Sequence, residues 1–489
     1  MYHSPSKRKK RAQLTFIYSL MVLAVISIVA ALVLVMQGYR FNQYDGKVEQ
    51  GGLVQFNSRP TGATVTVDDI QLANKTASKI TLTAGDHTIT MARDGYTSWA
   101  KDVTVVPGSV LWLNYARLFP VKPIVQPVAA LSAADNALAS PNKEQLAIFA
   151  TQTEPTLTLV RLNDDTPDVR AVAISSGVFT PPTTEAPQAF SVADWSGDNR
   201  HVIVQHVYDN KTEFIAIDTR GNDESKNITK LLGITAVKME YALGESNIVY
   251  AMTDTGDVRR ADIGSSTLSG PLVSNVVDFE QYDRSTLTFE TRIDPATKTR
   301  SVGYLTEGAS KPRIVRSYTD DGLVSMKMRI GEYYGDRYVA VAYGDNITVL
   351  TGDLPSSDAD VKLSLSRIAS LTLPGGAAYL DFSPNENRFV YAQQGSTVLT
   401  YDMELKRVAN SVMAAQPLTR GVDWIDSFHF VSVANGAMTH YDFDGKNGHV
   451  VAASVIERPV TLSGNGKYLY YFAPTESGIS LVRNKLTID

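Results

Sequence analysis

Twenty-three consecutive residues, Leu14 to Met36, carry no charged side chain. At about 1.5 Å of rise per helical residue, such a run is long enough to cross the hydrocarbon core of a bilayer. Directly before it stand Lys7-Arg8-Lys9-Lys10-Arg11. Because the flank richer in Lys and Arg stays in the cytoplasm, the sequence predicts residues 1–13 as a cytoplasmic basic tail and residues 14–36 as a transmembrane helix. Everything after the span is then extracytoplasmic. A cleaved signal peptide, cut near Ala30-Ala31, is the alternative, but its apolar region would run to only about 7–15 residues. A core helix of a soluble domain rarely carries so long an uncharged run behind five cations.

The expected location is therefore the cell membrane, single-pass, with the bulk of the chain outside. Cysteine is absent from the 489 residues, which excludes disulfides, thiolate metal sites and a cysteine nucleophile. A chain this long buries enough apolar surface to fold without covalent cross-links, and a cysteine-free exported chain suits a bacterial envelope better than an animal secretory route. Net charge is −5. No basic run occurs outside the N-terminal tail, so the membrane is an expected partner and nucleic acid is not.

Residues 37–52 are polar with Gly38, Gly46, Gly51 and Gly52, and read as a short stalk. From 53 to 118 the pattern changes to short alternating runs separated by turn residues: Val54 to Phe56, Ala63 to Val67, Ile80 to Leu82, Ile89 to Met91, Val103 to Val105 and Val110 to Leu113. Closely spaced half-buried strands of this kind predict a small antiparallel β-sandwich. Within it stand Pro60-Thr61-Gly62-Ala63 behind Ser58, then Gly85-Asp86-His87 and Gly95-Tyr96. On these residues the segment resembles the PEGA domain family, departing from it at Asn74-Lys75-Thr76-Ala77-Ser78, where the family has a Gly-x-Thr-Pro turn. The resemblance implies a bacterial or archaeal surface module found beside membrane spans, contacting envelope components, and no activity. His87 reads as a local packing residue, and at least one of Trp99 and Trp112 as core, with a sugar-stacking platform as the alternative.

Pro120, Pro123 and Pro127 mark residues 119–130 as a stiff linker. From 131 to 489 a unit recurs about eight times: a polar turn, an apolar strand, a charged loop and a second strand often closed by Asp. Leu380-Asp-Phe-Ser383-Pro384-Asn385 with Phe389 to Ala392 and Val398 to Asp402 is the clearest copy. Repetition at roughly 40–50 residues predicts a seven- or eight-bladed β-propeller, with a pair of stacked sandwiches as the alternative. The Ser-Pro-Asn and Ser-Gly-Asp turns make it similar to WD40-like propellers of the Tol type and of prolyl peptidases, although no copy has the full Gly-His and Trp-Asp signature. The fold expected overall is all-β apart from one N-terminal helix.

No zinc-protease helix, phosphate loop or serine elbow occurs, so no catalytic, cofactor or metal residue is assigned. Asp442-Phe-Asp444-Gly-Lys446-Asn-Gly448 begins like a calcium loop but has Ala453 where the closing glutamate belongs, and reads instead as a turn between blades. His201 and His206 fall on opposite faces of one strand. Asp164-Asp165 and Asp320-Asp321 read as solvated loop charges. The sequence thus points to a membrane-anchored, non-enzymatic binding or scaffolding module for an envelope protein or cell-wall glycan. A propeller glycan hydrolase or lyase with carboxylates converging on the channel is the alternative.

Overall fold

The computed structural model describes residues 7–36, 38–42, 47–132, 134, 136–183, 187–221, 225–319, 322, 324–418, 420–453, 455–476 and 478–488. The chain divides into two compact units, one formed by the N-terminal residues to Lys122 with the last three residues, the other by Pro123–Leu486.

In the first unit a helix runs over Lys7–Met36, so the basic cluster forms its opening turns, and its apolar stretch Leu14–Met36 is wholly unburied. The segment expected as a stalk is instead largely sheet: Tyr39–Asn42 pairs antiparallel with the long strand Lys47–Arg59. Glycine made this stretch read as a linker, but Gly51 and Gly52 lie in the strand where another backbone approaches closely; a Cβ on Gly51 would stand 2.2 Å from the Leu82 carbonyl oxygen. Two four-stranded sheets face each other across Val54, Phe56, Val65, Ile89, Met91, Trp99 and their neighbours. The sandwich is not purely antiparallel, because Lys47–Arg59 pairs in parallel with the last strand, Val110–Arg117. Thr76 explains why the departing loop is tolerated. Its buried hydroxyl lies 2.6 Å from Ser58 Oγ and accepts from Ala63 N at 2.9 Å, which pins the loop onto the Pro60–Ala63 turn.

The second unit is a ring of eight four-stranded antiparallel sheets among the described residues. Blades 1 to 7 each take four strands in chain order, beginning at Ala137, Ala189, Ala236, Val276, Met326, Tyr379 and Asp423. The recurrent Ser-x-Asx turn has a definite task. Ser140, Ser196 and Ser463 are buried, and each donates to the Asx two residues on, at 2.6–2.8 Å, while accepting the backbone N–H of the next strand's first residue at 2.9–3.0 Å. The turn between a blade's first two strands is thereby fixed by one side chain.

The eighth blade corrects the linker expected over 119–130. Ile124–Leu131 is a strand, the outermost of the last blade, paired antiparallel with Gly478–Lys485. Pro127 is accommodated because the register slips between Leu481 and Val482 at that point, a place where a missing ladder donor costs little. Arg483 secures the seam. Fully buried, it donates to Gln126 Oε1 of the closing strand (3.0 Å), to Tyr470 Oη (3.1 Å) and to the Asp164 (2.6 Å) and Asp165 carbonyls of blade 1, and its guanidinium lies 4.0 Å from the Tyr468 ring centre. The Asp164 and Asp165 carboxylates are solvent-exposed, as the sequence suggested, and Asp165 also accepts from Tyr468 Oη at 2.8 Å; it is their backbone carbonyls that Arg483 engages. Asp320 and Asp321 lie outside the described residues. Since hydrogen bonds to a charged group contribute about 1.5–3 kcal/mol each, Arg483→Leu should destabilise the ring by about 3 kcal/mol or more. Urea unfolding of the detergent-solubilised chain followed by tryptophan fluorescence measures this, with Lys211→Leu, at an exposed position of blade 2, as the comparison.

Candidate functional site

The first strand of each blade is its inner edge, and in blades 3 to 6 it alternates buried apolar with charged residues. Met239 and Tyr241, Phe279, Met328, and Leu380 and Phe382 turn into the blades. Between them Lys238 and Glu240, Asp278 and Glu280, Lys327 and Arg329, and Asp381 are only partly buried or exposed. Strand periodicity of two puts these polar side chains together toward the axis. In blades 2, 3 and 4 the register shifts immediately before the charge, between Val192 and Asp194, Ala236 and Lys238, and Val276 and Asp278. A bulge at the same place in three blades re-aims each side chain where pairing on an edge strand is cheapest to interrupt.

Lys238 Nζ holds three carboxylates, Asp278 at 2.9 Å, Glu240 at 3.0 Å and Glu280 at 3.6 Å, and donates to the Phe279 carbonyl at 2.7 Å. Arg329 reaches Glu280 at 3.2 Å and Glu290 at 3.5 Å. Asp194 accepts the Tyr241 N–H at 2.7 Å, and Arg420 and Val460 N bind Asp423. Burial dominates the acid groups: it pushes Asp194 up to about 6 and Glu240 and Glu290 up to about 7, and raises Asp381 and Asp423 against the pull of nearby cations and backbone N–H groups. Burial works against the Lys238 ammonium too, but Glu240, Glu280 and Asp278 together raise it. The Lys238 ammonium thus contacts both Glu240 and Glu280, one from each of two neighbouring inner strands.

The other sequence candidates are dispersed. His87 Nδ1 lies 2.5 Å from Asp68 and its Nε2 2.8 Å from the Thr83 carbonyl; burial lowers its pKa, but these bonds outweigh it and the net shift is upward. Trp99 is core, edge-on to Tyr115, whereas Trp112 is exposed. His206 is buried against Glu213 at 2.9 Å and His201 is half-exposed. An open groove of about 500 Å³ between blades 1 and 2 is lined by Arg161, Arg170, Arg200 and Arg220, of which Arg220 is matched by Asp218 and Arg161 by Asp164 and Asp168.

A second constellation was missed by the sequence reading, which left Asp442 in a turn and assigned no metal ligand. His429, His440 and Asp442 are buried together in blade 7, with one ligand atom of each inside 4.8 Å of the others. The signal that would have found them is the Asn435-Gly436 turn, both residues at positive φ, a two-residue hairpin connection. It sets His429 opposite Asp442 and Val431 opposite His440, so all three side chains fall on one face. The Asp442–Gly448 segment is a turn, as the sequence suggested, with Asp442 Oδ2 accepting from Asn447 at 2.9 Å and Asp444 Oδ1 from Lys446 N at 3.2 Å.

Residues 52–118 match the family model of the PEGA domain. The chain carries a PEGA domain over these residues and a β-propeller after it. The propeller assignment agrees with the C-terminal WD40 domain of Sif2, which is similar over 74% of this chain and 98% of its own at 12% identity and a TM-score of 0.50. The Cps50 (Swd1) propeller domain of Myceliophteria thermophila (10% identity, 74% and 99% coverage, TM-score 0.42) and an oligogalacturonate lyase in complex with manganese (10%, 72% and 99%, 0.40) are similar more distantly. No curated protein matches the sequence. At these identities the likeness bears on fold alone, and the PEGA domain and propeller must be read from their own residues.

The raised acids give the propeller a pH dependence of definite sign. Glu240 and Glu290 bind protons more tightly folded than unfolded, so the stability they contribute is complete below about pH 4.5 and is lost as pH rises toward 7. Between pH 5 and 7.5 the unfolding temperature should fall. Glu240→Gln with Glu290→Gln, which mimics the protonated state, should flatten the slope and raise the value at pH 7.5 by about 2–4 °C, measured by differential scanning calorimetry.

Proposed function

We propose that the chain is a membrane-anchored binding module, with the apolar helix in the bilayer, the PEGA domain and propeller on the extracytoplasmic side, and an envelope protein or wall glycan as partner. The observation that supports a binding rather than a catalytic ring is the Lys238 cluster. Its carboxylates are occupied by an internal cation at 2.9–3.6 Å, which ties the inner strands of blades 3 and 4 to each other. Loops gathered at the two rims of a rigid ring are then the recognition elements. The five cations ahead of Leu14 orient the helix with its N-terminus inside.

Two measurements test this. Protease added to intact spheroplasts should digest the propeller and leave a fragment of the anchor; full protection would refute the orientation. Cross-linking in whole cells followed by recovery of the full-length chain should return a specific protein or wall polymer, and Glu240→Gln should leave that recovery unchanged. If the chain instead degrades wall or surface polysaccharide and Glu240→Gln or Glu280→Gln abolishes the degradation, the hydrolase or lyase reading replaces this one.

A further inference from the structure

The closing aspartates of the blades differ in what compensates their charge. Asp218 in blade 2 is met by Arg220 at 2.9 Å and Asp402 in blade 6 by Arg388 at 2.7 Å. Asp442, which stands opposite the first residue of its neighbouring strand as those two do, has His429 Nε2 3.5 Å from its Oδ1. The second imidazole, His440, has its ring centre 5.0 Å from that of His429. His429, His440 and Asp442 are 3%, 0% and 0% exposed, so a carboxylate and two imidazoles are gathered in one buried place in blade 7.

We propose that His429 Nε2, one ring nitrogen of His440 and Asp442 Oδ1 bind a divalent transition-metal ion of the zinc class within blade 7. Three features support it. First, ligands about 2.0–2.1 Å from a tetrahedral centre stand about 3.3–3.4 Å apart, and His429 Nε2 and Asp442 Oδ1 are separated by 3.5 Å, close to the spacing a bound ion sets. Second, the far atoms of both groups are already engaged. His429 Nδ1 lies 2.7 Å from Asp426 Oδ1, and Asp442 Oδ2 accepts from Asn447 Nδ2 at 2.9 Å. A carboxylate on the remote nitrogen of a ligating imidazole fixes the tautomer and turns the other lone pair toward the metal. Third, two nitrogens and one oxygen suit zinc and its neighbours in the first transition row, whereas calcium and magnesium take oxygen sets.

The hairpin makes the three groups converge without strain, since His429 and Asp442 are a cross-strand pair and His440 is the next residue but one on the same face. Phe430, which alternates with His429, packs with Val398 and Met413 of blade 6, so the triad lies on the opposite face, turned toward the blade that closes the ring. His449, opposite His440 on the adjoining strand, stands at the border of the set. The rival arrangement is a metal-free one in which a protonated histidine balances Asp442 and Asp426.

Equilibrium dialysis of the untagged full-length chain in detergent, first stripped with chelator, separates the two. Wild type should take up one equivalent of Zn²⁺ or Co²⁺ at pH 7.5, the cobalt form should show visible ligand-field bands, and zinc should raise the unfolding temperature. His429→Gln and His440→Gln should weaken uptake more than 100-fold, Asp426→Asn, which only orients His429, by about 10–100-fold, and His201→Gln not at all. Circular dichroism identifies a variant that has lost its sheet, and Asp426→Asn then carries the comparison. No stoichiometric uptake by wild type, uptake that the His429, His440 and Asp426 variants leave unchanged, or loss on His201→Gln would overturn the proposal. Binding of the metal is independent of whether the rims capture a partner, so the two readings fail separately.

Discussion

A propeller blade cannot bury both of its own faces, so the whole second unit depends on closing the ring, which paired strands and a shared apolar cluster achieve and one buried cation reinforces. Arg483 joins the strand that enters the ring, Ile124–Leu131, to the strand that leaves it, Gly478–Lys485, and to the carbonyls of Asp164 and Asp165 in the first blade. A guanidinium suits the task because its planar fork can satisfy acceptors on three segments at once. The Tyr468 and Tyr470 rings supply the apolar surroundings that make those bonds strong.

The inner wall of the ring applies the opposite arrangement of charge. There the carboxylates outnumber the cations placed among them, and burial raises Asp194 and Glu240 into the range near neutrality. The channel therefore stores protons at mildly acidic pH that it gives up as pH rises, and its net charge grows more negative in the same interval. The bulges before Asp194, Lys238 and Asp278 allow this without disturbing the apolar positions on either side.

What was legible in the sequence follows from how each strand is buried. The middle strands of the blades, such as Gln145–Phe149 and Phe389–Gln394, are buried on both faces and appear as apolar runs, so the eight units could be counted. The outer strands, such as Arg407–Val412 with its largely exposed residues, carry edge charges and read as loops. The entering strand was hidden by three prolines, and the hairpin at Tyr39–Asn42 and Lys47–Arg59 by its glycines, because both residue types ordinarily mark the absence of sheet. Thr76 was visible only as a departure from the PEGA pattern, although it preserves the hydroxyl that the turn needs. The His429, His440 and Asp442 grouping was recoverable from the Asn435-Gly436 turn, but only by counting register outward from it. The axial charges required knowing which strand of each repeat is innermost.

The order of strands also sets a problem of timing during synthesis. Leu131 pairs with Ile479, 348 residues later, and at about 5–20 residues per second the entering strand waits on the order of 20–70 s for its partner. Throughout that interval it is an unclaimed edge with Ile124, Val125 and Val128 on offer, the composition that recruits foreign strands. Pro127, in the middle of it, denies a stranger a continuous ladder while costing the native pairing little at its slipped register. The proline that disguised this segment as a tether is thus its guard against premature partners.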